Sequence, residues 1–202
     1  MKLTHIITGI IWIAGLVFCS TSCGNKSTAN EKQNVTDQNT TTPKVHKTEE
    51  NAFEGLRNMA FSTTPERLGL SLPTGKTTVY GVIMDWEMGG VTATTVSYQT
   101  GDASLYISTG GGVIGGGQHQ NVNRAAKQFV SLAQTFLDKT TKTETTALPS
   151  TNEVKFFLLT NKGVFVGQEQ MKNFENNSSA WLKLFEEGNK VLAQLRLTTE
   201  NK

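Results

Sequence analysis

Between Val79 and Met88 the side chains alternate: Tyr80, Val82, Met84, Trp86 and Met88 fall on one side, and Val79, Gly81, Ile83, Asp85 and Glu87 on the other. Alternation with period two is the signature of a β-strand whose successive side chains point to opposite faces. One face is wholly apolar and must be covered, so the chain has to build a sheet around this segment. Gly89-Gly90 supplies a two-residue turn, and Val91–Gln99 is rich in β-branched residues. Thr100-Gly101-Asp102 turns the chain again into Ala103–Ser108. Together these segments predict an antiparallel meander.

Helical periodicity brackets the meander. Phe53, Leu56 and Ala60 place a short amphipathic helix over 52–61, and Thr64-Pro65-Glu66-Arg67 reads as one capped turn with proline at the first helical position. Val122, Ala125, Ala126, Phe129, Leu132, Ala133, Phe136 and Leu137 share one face of a longer helix, for which Asn121 or Asn123 is the candidate cap. After the polar connector 140–150, residues 154–160 read as a strand covered on both faces, and Val164–Gln168 as its hairpin partner. A last helix starts near Ser179 and carries Trp181, Leu184, Phe185, Val191, Leu192 and Leu195 on one side. The expected fold is α+β, in the order α-β-β-β-α-β-β-α, with a mostly antiparallel sheet of about five strands and helices packed on it.

The N-terminus is of another kind. Lys2 precedes an almost purely apolar run, Ile6–Cys19, which suits an export signal and is short of the ~20 residues a spanning helix needs. Ser20-Thr21-Ser22-Cys23-Gly24-Asn25 follows. This stretch resembles the lipobox of bacterial lipoprotein precursors, in a looser form with serine and threonine where leucine and alanine are commoner. The resemblance implies a diacylglyceryl group on the Cys23 thiol, cleavage between Ser22 and Cys23, and acylation of the new amino terminus. Cys19 is the competing cysteine, but Phe18 before it is too large for the small-residue position of such a cleavage site. Two or more acyl chains give stable anchoring, at ~0.8 kcal/mol per buried methylene.

The domains expected are therefore a signal peptide over 1–22, a lipidated cysteine with a disordered tether over 23–50, and one α+β globular domain over 51–202. In the tether only Val35 and Val45 are sizeable aliphatics, too few to offset the entropy of ordering. Its reach is roughly 30 Å as a flexible coil and about 90 Å drawn straight. With no acidic cluster near Cys23, the expected location is the cell envelope, on a periplasm-facing membrane surface.

Composition narrows the chemistry. Among 202 residues, 19 are Lys or Arg and 17 Asp or Glu, with the basic ones scattered, which argues against a nucleic-acid surface. Loss of Lys2 with the signal leaves 18 against 17. Cys23 is the only cysteine beyond Cys19, which leaves no disulfide, thiolate metal site or cysteine nucleophile in the mature chain. No His, Asp or Glu grouping has metal-ligand spacing, and no cofactor is implied.

The candidate ligand-binding residues are Gly110, Gly111, Gly112, Gly115, Gly116 and Gly117, with His119 and Arg124. Gly110-x-Gly112-x-x-Gly115 spells a dinucleotide fingerprint, but it leaves an antiparallel meander and lacks the acidic strand end of a parallel unit. No Gly-Lys-Ser/Thr follows, so it is no triphosphate loop. Loop amides with Arg124 and Lys127 in the first helical turns would suit a phosphate or carboxylate. Alternatively the glycines serve a tight strand exit or a close backbone approach, or a recognition loop. His119 is a candidate base without an identifiable nucleophile beside it. Asp85 and Glu87 share one strand face and could work as an acid and base or hold a cation, though an exposed strand end is the simpler expectation. The run Leu105–Thr109 with the glycines and His119 also resembles strand-loop-helix segments of small bacterial proteins of unassigned role, and that likeness implies no activity.

Two function classes follow. The first is a lipid-anchored, non-enzymatic module that binds a protein or small-ligand partner in the envelope, of immunity or inhibitor type. The second is a small envelope enzyme or anion-binding protein using Gly110–Gly117, His119 and Arg124.

Overall fold

The alternating segment is the middle strand of a seven-stranded sheet. In the computed structural model residues 52–200 are described; the expected signal peptide, Cys23 and the tether lie outside them. The elements are α1 (Ala52–Phe61), β1 (Val79–Met88), β2 (Val91–Tyr98), β3 (Ala103–Ile107), β4 (Gly112–Val113), α2 (Gln120–Ala133), β5 (Thr141–Thr143), β6 (Glu153–Thr160), β7 (Gly163–Gln170), α3 (Met171–Glu175) and α4 (Leu182–Glu200). The sheet runs β4-β3-β2-β1-β6-β7-β5, and every neighbouring pair is antiparallel.

The α+β class with an antiparallel sheet holds, while the strand number and element order are corrected. The two additional strands are β4, two residues inside the glycine run, and β5, three residues of the polar connector. Both are too short to show a period, and both sit at the sheet's edges, where short strands leave little free backbone for another chain to join.

The two faces of the sheet are covered differently. Against one lie α2, through Val122, Ala126 and Phe129, and α4, through Leu184, Val191 and Leu195. Gly188 of α4 lets Met84 and Phe129 close in beneath the helix, and Trp86 meets the edge of Phe185 with ring centroids 5.2 Å apart. Trp181 stacks on Phe156 at 5.3 Å and seals the β7 end of this layer.

The opposite face carries α1 and the segment after it. Phe53, Ala60, Ile83, Tyr98 and Phe157 form the core there, with Leu68, Leu70 and Leu72 packed against it. Tyr98 Oη donates to Ala60 O at 3.0 Å, and Tyr80 Oη to Thr63 O at 2.9 Å. These bonds tie the C-terminal end of α1 to the sheet.

Helix α2 stops earlier than its apolar stripe suggests. At Gln134 the chain tightens into a 3₁₀ segment, Gln134–Lys139. The Gln134 side chain then accepts from Val79 N at 2.8 Å and donates to Thr77 O, which satisfies the backbone where β1 begins. Neither Asn121 nor Asn123 caps α2: His119 holds the cap position, without a side-chain cap bond. Among the described residues no helix is long and apolar enough to cross a membrane.

Candidate functional site

Six glycines between β3 and α2 are used mainly for backbone geometry. Gly110, Gly111 and Gly112 have φ of +106°, +83° and +144°, a region L side chains rarely enter. They form the tight turn that sends β4 back along β3, with Gly110 N donating to Ile107 O at 2.9 Å. A Cβ on Gly112 would strike Leu105 O. Gly116 is buried where a side chain would collide with Leu195 of α4, and a Cβ on Gly117 would lie 2.8 Å from the Asp102 Cα. Gly115 N donates to Ser104 Oγ at 3.1 Å, and Gly117 N to Asp102 Oδ1 at 3.2 Å. Three loop amides that were candidates for an anion are thus engaged by the protein.

The other two candidates are placed apart. His119 is exposed and borders a depression of about 450 Å³ with Gln194, Leu197 and Thr198 of α4. Arg124 is also exposed and lines a different groove of about 650 Å³ between α2 and α4, with Lys127 and Lys190. Glu187, also in that groove, pairs with Lys190 at 2.5 Å. The structure therefore does not bring the glycines, His119 and Arg124 to one cavity.

The strongest concentration of buried polar groups lies on the α1 face, at the end of β1. The expected exposed strand end is corrected here: Asp85 is 0% exposed and Glu87 8%. On an alternating strand both read as surface groups, because the sequence does not show α1 and the segment before β6 arriving over them.

Arg57 of α1 reaches Asp85 with two nitrogens, Nε at 3.0 Å and Nη2 at 2.5 Å, both on Oδ2. Thr94, opposite Asp85 on β2, donates its hydroxyl to Oδ1 at 2.5 Å. The guanidinium also lies 4.7 Å from the Phe61 ring centroid and 5.6 Å from that of Phe157. Arg57 was not singled out from the sequence, although a signal existed: it falls four residues after Phe53 and three before Ala60, on the helix's core stripe.

Around this pair the chain between β5 and β6 is strapped to the sheet. Glu87 accepts from Gly90 N through Oε1 and from Asn152 N through Oε2, and these amides hold its carboxyl below the ordinary range. Glu153 accepts from Ser150 N at 2.8 Å. Lys155, beside Asp85 in the β1–β6 register, donates to the carbonyls of Ala147 and Leu148 at 3.3 and 3.2 Å. Between this strap and α1 runs a groove of about 250 Å³ walled by Phe53, Glu54, Arg57, Asn58 and residues 146–148.

A guanidinium carries donors and no acceptor, so Arg57 acts here as a hydrogen-bond donor. Among the described residues no group of three or more His, Cys, Asp or Glu could hold a metal ion. No family model, no curated protein and no solved structure matches this chain.

Proposed function

We propose that this chain is a lipoprotein of the bacterial cell envelope, anchored through acyl chains on Cys23 and facing the periplasm, whose folded domain is a non-enzymatic binding module. The observation that carries the anchoring is the run Ile6–Cys19 passing directly into Ser20-Thr21-Ser22-Cys23. A polar tether then lets the domain stand off the membrane and search for a protein or small-ligand partner. An immunity or inhibitor lipoprotein fits this frame.

The binding part of the reading is supported by Arg57, a largely buried donor in the wall of a groove. The rival reading, an envelope enzyme or anion-binding protein built on Gly110–Gly117, His119 and Arg124, has less support, because His119 and Arg124 line separate depressions.

The test of anchoring is growth of a bacterial host expressing the chain with labelled palmitate. Wild type is expected to carry the label and fractionate with membranes, while Cys23→Ser is expected to lose both properties. Label persisting on Cys23→Ser would overturn the anchor. For the rival, a His119→Ala/Arg124→Ala double variant that folds normally and keeps the cellular phenotype removes the enzymatic version.

A further inference from the structure

The strap between β5 and β6 is gripped by the sheet through its backbone. Residues 144–152 are all exposed or half-buried, so the strap puts no side chain into the core. Three ionisable side chains of the sheet hold it instead. Glu87 of β1 accepts from Asn152 N, and Glu153 of β6 accepts from Ser150 N at 2.8 Å. Lys155 of β6 donates to Ala147 O at 3.3 Å and to Leu148 O at 3.2 Å.

Such an attachment differs in kind from that of the helices. Those bury large apolar side chains against the sheet, and that stabilisation is lost only when the layers part. A hydrogen bond to a charged group contributes less, because on opening it is exchanged for bonds to water. Segments with few buried apolar contacts therefore open at a fraction of the global unfolding free energy. No buried side chain belongs to the strap, so the core keeps its own contacts when the strap leaves.

The backbone also supplies a pivot. Asn152 sits at φ +56°, in the left-handed region, and its carbonyl accepts from Met171 N at 2.7 Å. The carbonyl side of the residue is thus tied to the chain that follows β7, while its N–H is held by Glu87. Rotation about the Asn152 φ swings the strap away and leaves β6 paired with β1 and β7.

We propose that residues 144–152 form a gate that opens as one unit about Asn152 while the sheet stays folded, with Glu87, Glu153 and Lys155 as its latches. Residues 146–148 are one wall of the groove beside α1, so opening the gate removes that wall and brings water to Arg57, which is otherwise buried. The device is a property of the fold and does not depend on what the domain binds.

The test is amide hydrogen exchange, followed residue by residue by NMR on the full acylated chain in detergent micelles. In the wild type the Ser150 and Asn152 amides are expected to exchange about a hundredfold or more faster than the amides of the β1–β6 ladder, at rates that low urea leaves unchanged. Glu87→Gln is expected to speed Asn152 about tenfold relative to that ladder. Lys155→Met decides whether the strap moves as a unit, because Lys155 bonds to the carbonyls of Ala147 and Leu148 and to neither of these amides. It is expected to speed both Ser150 and Asn152 about tenfold relative to the ladder. The gate is overturned if the strap amides exchange as slowly as the ladder and follow urea as it does, or if either variant leaves Asn152 at its wild-type rate. Should Glu87→Gln fail to fold, the wild-type rates and Lys155→Met decide.

Discussion

Arg57 sets two guanidinium nitrogens on a single oxygen of Asp85, and the other oxygen of that carboxylate belongs to Thr94. The pair joins the first helix to the middle strand from within the core, with the Asp85 side chain 0% exposed and that of Arg57 7%. Breaking it on one side strands the other charge. Asp85→Ala is expected to cost about 3–5 kcal/mol, whereas Arg57→Met combined with Asp85→Leu costs less than the sum of the two single changes. Urea unfolding of Asp85→Ala, Arg57→Met, Asp85→Leu and the double variant checks this, and additive single costs would contradict the coupling.

Glu87 gives the fold an acid-side dependence. Its carboxyl is held below the ordinary value of 4.5, first by the amide of Gly90 and then by that of Asn152. A lowered folded value means that the stabilisation is complete above the unfolded value and is lost as pH falls through the folded one. The urea midpoint is therefore expected to decline below about pH 4.5, and Glu87→Gln to flatten that decline. An unchanged slope in Glu87→Gln would assign the acid sensitivity elsewhere.

The three tyrosines act at the other end of the scale. Burial pushes Tyr98 up to about 12 and raises Tyr80 and Tyr106 above the ordinary 10. Here the neutral form is favoured by folding, so the stabilisation is present below pH 10 and is lost as pH rises through the folded values. Phenolate absorbance is expected to stay low in the native chain at a pH where the urea-unfolded chain is half ionised. Coincident curves would show that the phenols are open to water.

Glycines separate into two experimental classes. A methyl on Gly167 drives into the indole of Trp181, and one on Gly112 meets the Leu105 carbonyl from a left-handed backbone. Alanine at either position is expected to destabilise by about 1–3 kcal/mol. Gly75 has nothing within 4 Å and no positive φ, so Gly75→Ala is expected to be neutral or to stabilise by up to about 1 kcal/mol. Thermal melts of the three variants order them.

What could be read in advance depended on how many residues shared a period. The ten residues of β1 and the ten of α1 were placed to the residue, because each presents several apolar side chains to one neighbour. β4 and β5 have two and three residues, and α3 has five, too few for any period to show. The polar cluster was hidden for a different reason. Asp85 and Glu87 look like solvent groups on a strand, and only the arrival of Arg57 from 28 positions earlier and Asn152 from 65 positions later makes them interior. The glycine run was conspicuous in composition, but composition does not separate a turn that needs left-handed φ from a loop that needs a ligand.

The position of β1 also orders the events of folding. Its partner β2 is joined to it by a two-residue turn, and β3 and β4 follow by short connections, so half the sheet forms from local contacts. Its other partner, β6, is separated from it by the rest of that half-sheet and by α2. Until β6 docks, the half-sheet ends in an open edge made of the ten-residue strand β1. Such an edge invites pairing with any other extended chain nearby. The finished molecule shows only its short outer strands, while a chain in which β6 has not yet docked would show its centre.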